Sequence, residues 1–397
     1  MVKSFSRNDT SLLARWWWTV DRLSLATILF IIVFGSILIF AASPAVAERI
    51  GLDSYHFVIR QFIFLIPSLF IMIFVSFFSP RQIQYAALLL FAVTFIGLIL
   101  TLVIGVEIKG AKRWIGLGML SLQPSEFAKP AFAILSAWLI ANRLENPHFP
   151  GKIYSFGLFI LIMALLLAQP DIGMAVVMTS IWFTQFFIAG LPFIWIAIII
   201  CFGVLGIGSA YFLFPHAASR IDKFLDPSNI GYQIEKSLEA FMRGGIFGRG
   251  PGEGRVKEYL PDAHADFVFA VAGEEFGLIA CLIIIGLFTF VLYRGLKRLM
   301  HESNMFIVLA ASGLLVQFAL QAIINMASTL HLIPTKGMTL PFMSYGGSSL
   351  LALALNIGML LALTRRRGDS GDSFINKTLN QIKTPTRAKS AASLHHD

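Results

Sequence analysis

Long apolar stretches separated by short polar ones recur along the chain from residue 23 to residue 364. A helix that crosses lipid needs about 20 mostly apolar residues, because all its backbone polar groups must be satisfied internally. That ruler predicts an all-α polytopic membrane protein with about ten transmembrane helices, over 23–42, 57–78, 84–106, 124–142, 153–168, 171–189, 192–214, 267–293, 303–330 and 341–364. Gln169-Pro170-Asp171 interrupts what would otherwise be one long run, so two helices are expected to meet there at a polar break. Ala45-Val46-Ala47 imitates a signal-peptidase site. The apolar run before it is too long for a signal core, and spanning segments follow, so it is read as a retained first helix.

Lys and Arg in the short loops set the expected orientation. With the amino terminus in the cytoplasm, the inner segments collect Arg15, Arg22, Arg81, Arg143, Lys152, Arg294, Lys297, Arg298 and Arg365-Arg366-Arg367. An even number of spans returns the carboxyl terminus to the same side. Three regions result: a cytoplasmic segment over 1–22, a transmembrane domain over 23–364 with a large periplasmic loop at 215–266 between spans seven and eight, and a basic, disordered tail over 365–397. Within the large loop, Ile234, Leu238 and Phe241 fall on one face of a predicted amphipathic helix lying on the membrane or on the protein.

Composition agrees with lipid as the solvent. The chain has 397 residues, 57% of them hydrophobic and only 13% charged, with a mean hydropathy of +0.76. A soluble chain is about one quarter charged. The net charge of +9 does not imply nucleic acid, since the basic residues sit between spans and in the tail, where they face anionic lipid. Cys201 and Cys281 lie in apolar runs and offer neither a disulfide framework nor a metal-ligand spacing.

Polar groups inside or beside spans are expensive and mark candidate chemistry. The outer loop at 107–123 breaks the charge rule with Lys109, Lys112 and Arg113, which suits an anionic ligand; Trp114 beside them would stack on a sugar or anchor at the interface. Span four opens with Gln123, Pro124, Ser125 and Glu126, and Lys129 shares a face with Glu126. That pair is an internal salt bridge, a cavity-facing anion contact, or both. Gln317, Gln321 and Asn325 form one polar stripe, either interhelical glue or the wall of a wet groove. The glycine-rich run 244–254 fits neither phosphate-binding pattern. Asp266 ends the large loop where span eight begins. It is either an N-cap or a general base at the mouth of a membrane cavity. Asp171 belongs to the polar break. Glu274 and Glu275 follow between Gly273 and Gly277, a spacing for close helix packing, and at least one is expected to pair with a basic group on a neighbouring helix.

Taken together, four segments resemble the SEDS family (shape, elongation, division and sporulation), most of all its cell-division member. They are Lys109–Ile115, Gln123–Lys129, Leu260–Phe269 with Glu274-Glu275-Phe276-Gly277, and Pro334–Ser349 with Lys336 at its start. Ala265 departs from the threonine usual there. The resemblance implies a peptidoglycan glycosyltransferase that polymerises lipid II at the outer face of the bacterial inner membrane, at the division septum, with no nucleic-acid partner. It places the family's essential aspartate on Asp266, as general base in an inverting displacement of undecaprenyl diphosphate. Lys112, Arg113, Trp114, Glu126, Lys129, His264 and Lys336 are the expected substrate contacts. Lys109, Gln123, Ser125, Asp171, Glu274, Glu275, Gln321 and Asn325 are the expected supporting polar groups. No cofactor is required by any ligand cluster, and a divalent cation bridging the diphosphate is compatible with the chemistry. The nascent glycan strand, membrane lipid, a class B penicillin-binding protein and other divisome proteins are the implied partners. A lipid II flippase and a non-catalytic scaffold for a transpeptidase are the competing readings.

Overall fold

The structure, a computed structural model, describes residues 11–108, 111–117, 120–190, 231–334 and 337–366, with scattered positions between 206 and 226. Helices dominate, and the starts of several follow from their capping residues. After α1 (Leu12–Thr19) come α2 (Arg22–Arg49), α3 (His56–Ser76) and α4 (Pro80–Ile104). Ser79 and Gln82 cap α4 reciprocally, with Gln82 N donating to Ser79 Oγ at 3.3 Å and Ser79 N to Gln82 Oε1 at 2.8 Å. Then follow α5 (Pro124–Glu145), α6 (Gly151–Ala168) and α7 (Ile172–Ile188). Asp171 caps α7, and its carboxylate accepts from Met174 N. The predicted break at 169–171 is therefore real.

Beyond it lie α8 (Tyr232–Gly244), a 3₁₀ turn (Val256–Glu258), α9 (Val268–Leu299), α10 (Met305–Thr329) and α11 (Gly347–Leu363). Among the described residues, six helices, α2, α3, α4, α6, α9 and α10, are long and apolar enough to cross a membrane. The apolar α7 and α11 are shorter, at 17 residues each, and α5 carries Glu126, Lys129, Arg143 and Glu145. Nine of the ten predicted spans overlap a described helix. The span predicted at 192–214 lies outside the described residues, apart from a few positions.

The start of the last span differs from the expectation. The last helix begins at Gly347 rather than 341, because the chain turns through Phe342 in the left-handed region (φ 61°) before it can enter the helix. The all-helical expectation also fails locally. Three short strands between α4 and α5 form an antiparallel sheet, β1 (Val106–Ile108), β2 (Ala111–Leu117) and β3 (Leu120–Leu122). Glu107 stands opposite Lys112 in its register, a favourable cross-strand pair. Strand pairing satisfies a backbone that must double back between α4 and α5.

Residues 21–364 form one compact unit. Near the amino-terminal end of α2, buried Asp21 accepts from Arg294 Nη2 at 2.7 Å and pairs with Arg298 Nε at 3.0 Å. Burial alone would raise the Asp21 carboxyl. The two guanidiniums and the Ser24 hydroxyl outweigh it and hold that carboxyl below its ordinary range. In the second unit, Ser11 caps α1, and Arg365 Nε donates to Thr19 Oγ1 at 3.0 Å.

Candidate active site

The helix that presents Asp266 is broken. α9 runs from Val268, but Gly277 adopts φ 75°, ψ −171° and interrupts its hydrogen bonding. The glycine-rich segment supplies the missing partners. Arg249 N and Gly250 N donate to the carbonyls of Glu274 and Glu275, both at 3.0 Å, and Leu278 N donates to Gly245 O at 2.9 Å. This explains the glycines. A β-carbon on Gly277 would lie 2.4 Å from Gly248 N, and one on Gly248 would lie 2.2 Å from Glu275 O. Gly273 likewise abuts the Phe241 ring of α8. The Gly273–Gly277 spacing thus packs against α8 and the loop that follows it, not against another spanning helix.

Glu274 and Glu275 bind the same loop. Both are fully buried. Glu274 accepts from the backbone N–H groups of Arg255 (2.8 Å), Val256 (2.7 Å) and Lys257 (3.1 Å), capping the 3₁₀ turn. Glu275 forms an ion pair with buried Lys257. Its basic partner therefore comes from the loop that precedes α9, not from a neighbouring helix. α8 packs its apolar side into the same structure. Ile234 and Ala240 join Val256, Leu260, Phe267 and Val271 in one core, with Leu238 and Phe241 against it. The amphipathic face is spent on protein.

Upstream of α9 the chain makes a tight turn in which Asp262, at φ 54°, accepts through its carbonyl from Ala265 N (2.9 Å) and Asp266 N (3.0 Å). Phe267, not Asp266, occupies the N-cap position. Asp266 is half-buried and two residues short of the helix. Its surroundings come from the carboxyl-terminal third of the chain. Fully buried Asn325 donates from one Nδ2 to Asp266 O (2.9 Å) and to Met338 O (2.7 Å), clipping the two segments together. Gly337 faces the Asp266 carboxylate, and a β-carbon there would stand 3.2 Å from Oδ2.

The polar stripe of α10 continues inward as a relay. Gln321 Nε2 donates to Thr339 Oγ1 and Ser349 Oγ, both at 3.2 Å, and those hydroxyls bond each other at 2.7 Å. Gln321 Oε1 accepts from Lys129 Nζ at 3.0 Å, and Lys129 pairs with Glu126 at 2.9 Å. Lys129 is fully buried among these groups, so it meets protein at both of its contacts. Ser348 extends the web to the sheet, accepting from Gln123 N and donating to Ser121 O, each at 3.1 Å. The stripe is bundle interior. Gln317, one turn from Gln321, and Ser125 are buried with side-chain polar atoms that lack a partner among the described residues.

The comparisons with known proteins fall on this same frame. The FtsW/RodA/SpoVE family profile, described as cell cycle protein, matches residues 21–368. The chain belongs to this family, the SEDS proteins. A probable peptidoglycan glycosyltransferase FtsW of Caulobacter vibrioides is 44% identical over 375 residues, covering 93% of this chain and 96% of the relative. One from Escherichia coli O157:H7 is 33% identical, covering 86% and 85%. Among solved structures, a chain from a peptidoglycan synthase complex, studied for the coordination of polymerization and crosslinking, superposes with a TM-score of 0.71 at 26% identity, covering 88% of this chain and 98% of that one. The rod shape determining protein RodA of Thermus thermophilus gives 0.65 at 26% identity, covering 89% and 99%.

Within this SEDS protein the remaining predicted residues separate clearly. Arg113 is committed to the polar break. It donates to Gln169 O at 3.3 Å and to Pro170 O, and its guanidinium lies 3.7 Å from Asp171. Lys112 stays exposed on β2, and Trp114 is half-buried beside it. His264 is buried, stacked on Phe57 with ring centroids 4.1 Å apart and flanked by Tyr345 at 5.2 Å. Burial, with a smaller contribution from Arg49, pushes its imidazole down to about 4, against an opposing pull from Asp262. The ring is therefore neutral at pH 7 and packs as an aromatic. Lys109 and Lys336 lie outside the described residues. Among the described residues, no group of three or more His, Cys, Asp or Glu side chains could hold a metal ion. Sequence reasoning missed Asn325 as the clip on Asp266 and Lys257 as the partner of Glu275. The first was visible only as one member of a stripe, and the second as one charge in a mixed loop.

Proposed function

We propose that this SEDS protein is a peptidoglycan glycosyltransferase that polymerises lipid II at the outer membrane face during cell division. The observation that carries the reading is the setting of Asp266: a half-buried carboxylate at a helix start, its backbone clipped by Asn325 and its side chain against Gly337. A general base must be held rigidly where a substrate hydroxyl can reach it. The acceptor sugar hydroxyl loses its proton to Asp266 as its oxygen bonds to the donor's anomeric carbon. The bond from that carbon to the diphosphate oxygen breaks, and undecaprenyl diphosphate leaves with the electron pair. One displacement inverts the centre and needs no covalent enzyme intermediate. The departing diphosphate needs positive charge more than a proton. Exposed Lys112 is the first candidate for that charge, and Lys336, outside the described residues, is the second. Arg113 and Lys129 are engaged by protein and support the scaffold.

The names of the relatives support this activity, and the peptidoglycan synthase neighbour supports a class B penicillin-binding protein as partner. A flippase would draw on the broken helix α9, since transporters use such breaks to line a substrate path. Here the freed backbone groups are taken up by residues 245–250, which weighs against that reading. The test is glycan-strand synthesis from purified lipid II, with the transpeptidase partner supplied, for the wild type, Asp266→Ala and Asp266→Asn. Loss of a general base lowers the rate about 10²–10⁴-fold, so both variants should make almost no polymer while folding and binding the partner. Normal polymer from either variant rules out Asp266 as the base, and an inactive wild type moves the flippase and scaffold readings ahead.

A further inference from the structure

Below the break at Gly277, α9 shows the surface of a lipid-facing span: Leu278, Ile279, Leu282 and Ile283 are all exposed large apolar residues. Three more stand close in the chain fold, on residues that the hydropathy pattern assigns to the outer loop. Met242 is 76% exposed, Ile246 58% and Phe247 80%. Side chains of this size so open to water would form a costly apolar patch. Their depth follows from the hydrogen bonds. Leu278 N and Ile279 N donate to Gly245 O and Ile246 O, so the loop lies level with residues 278–279. From Leu278 to Tyr293, the last residue before Arg294, a helix rises only about 24 Å at 1.5 Å per residue. The hydrocarbon core is about 30 Å thick. The loop is thus bonded to the helix at a level inside the outer hydrocarbon boundary.

Irregular backbone is tolerated at that depth where neighbouring protein takes up its polar groups, and several of them are taken up here. Gly248 N donates to Gly244 O, Arg249 N and Gly250 N donate to the carbonyls left free at the break, and the carbonyls of Gly245 and Ile246 accept from α9. The flanking charges sit at the polar margin of the loop, with Arg243 paired to Glu239 and Arg249 Nε donating to Arg243 O at 3.1 Å. That arrangement suits the phosphate level of the headgroups. We infer that residues 244–248 are a re-entrant membrane insert, with Ile246 and Phe247, together with Met242 from the last turn of α8, in contact with outer-leaflet hydrocarbon. Because the insert is bonded to both sides of the break, the bilayer itself fixes the height of the helix half that follows Asp266. The inference rests on α9 as a membrane span and is independent of the chemical role of Asp266.

The experiment uses the full-length chain with Cys201 and Cys281 replaced by alanine, in bilayer nanodiscs of phosphatidylethanolamine and phosphatidylglycerol. A nitroxide is attached at Phe247→Cys, and its collisions with oxygen and with a water-soluble nickel chelate are compared. Leu282→Cys provides the lipid reference and Glu253→Cys the aqueous one. Oxygen concentrates in hydrocarbon and the chelate in water, so the oxygen-to-chelate ratio at 247 should match that at 282 within about twofold. A ratio matching 253 overturns the insert. So does a label reached by neither reagent, which would mean that a second protein surface covers the loop. Ile246→Cys is measured in parallel, with the same outcomes, in case Phe247→Cys fails to fold.

Discussion

The Asp266 carboxylate lies against Gly337 so closely that a methyl group on Gly337 would stand 3.2 Å from its Oδ2. Gly337→Ala must therefore push the carboxylate or the 337–338 segment aside. The contact is relieved by a shift of a few tenths of an ångström, and displacing a reacting group by about 1 Å costs on the order of 100-fold in rate. Gly337→Ala is expected to lower glycan-strand synthesis severalfold, up to about tenfold, at near-normal thermal stability. Unaltered synthesis would mean that the space around Oδ2 is not used.

Asn325 connects Asp266 to Met338 through a single nitrogen. Asn325→Leu removes the donor and leaves two buried carbonyls unmatched, a loss of about 1–3 kcal/mol per group. A positioning residue should affect kcat more than KM. Steady-state polymerisation by the folded variant is expected to show that split. A change confined to KM would instead make Asn325 a determinant of substrate binding.

Lys129 and Glu126 offer a test of structural against substrate-contacting roles. Lys129→Met strands a buried carboxylate, and breaking such a pair costs about 3–5 kcal/mol. Adding Glu126→Gln should restore most of the thermal stability and, if Lys129 only braces Gln321, most of the activity. A stable but inactive double variant would show that the ammonium itself meets substrate.

His264 gives the fold a pH dependence of defined sign. Its folded-state value is about 4, against 6.5 when free. Between those values the unfolded chain binds a proton that the folded one does not. Stability is therefore fully present above pH 6.5 and falls as pH drops towards about 4, by up to about 3 kcal/mol. His264→Phe, which keeps the stack on Phe57, should flatten that part of a thermal-midpoint profile against pH. An unchanged profile would assign the acid sensitivity to other groups.

Much of this architecture is legible in the chain. Apolar length located nine helices because lipid imposes a fixed span, and Gln169-Pro170-Asp171 marked a break because neither Pro170 nor Asp171 suits hydrocarbon. The glycine-rich run was less readable. Its glycines answer to carbonyls of Glu274 and Glu275, on a helix that begins some twenty residues later, and no local pattern records that pairing. Arg113 and Lys129 were singled out correctly as unusual charges. Their partners, the 169–171 turn and Gln321, are distant in sequence, so a ligand contact and an internal brace looked alike. The sheet at 106–122 was hidden for a simpler reason, since strands of 3 and 7 residues carry too few positions for a period to emerge.

The clip between Asp266 and the 337–338 segment also bears on biogenesis. Asp266 and its helix leave the ribosome well before Asn325, Met338 and Gly337. A nascent chain that has inserted only through α9 already carries the carboxylate, yet lacks every one of those later contacts that hold it. With Asp266 as the proposed base, competence is acquired late, when the last two helices have entered the bilayer and brought Asn325, Gly337 and Met338 to the site. Chains interrupted before that point would occupy the membrane as inert intermediates, and the timing of insertion itself would guard against premature polymerisation.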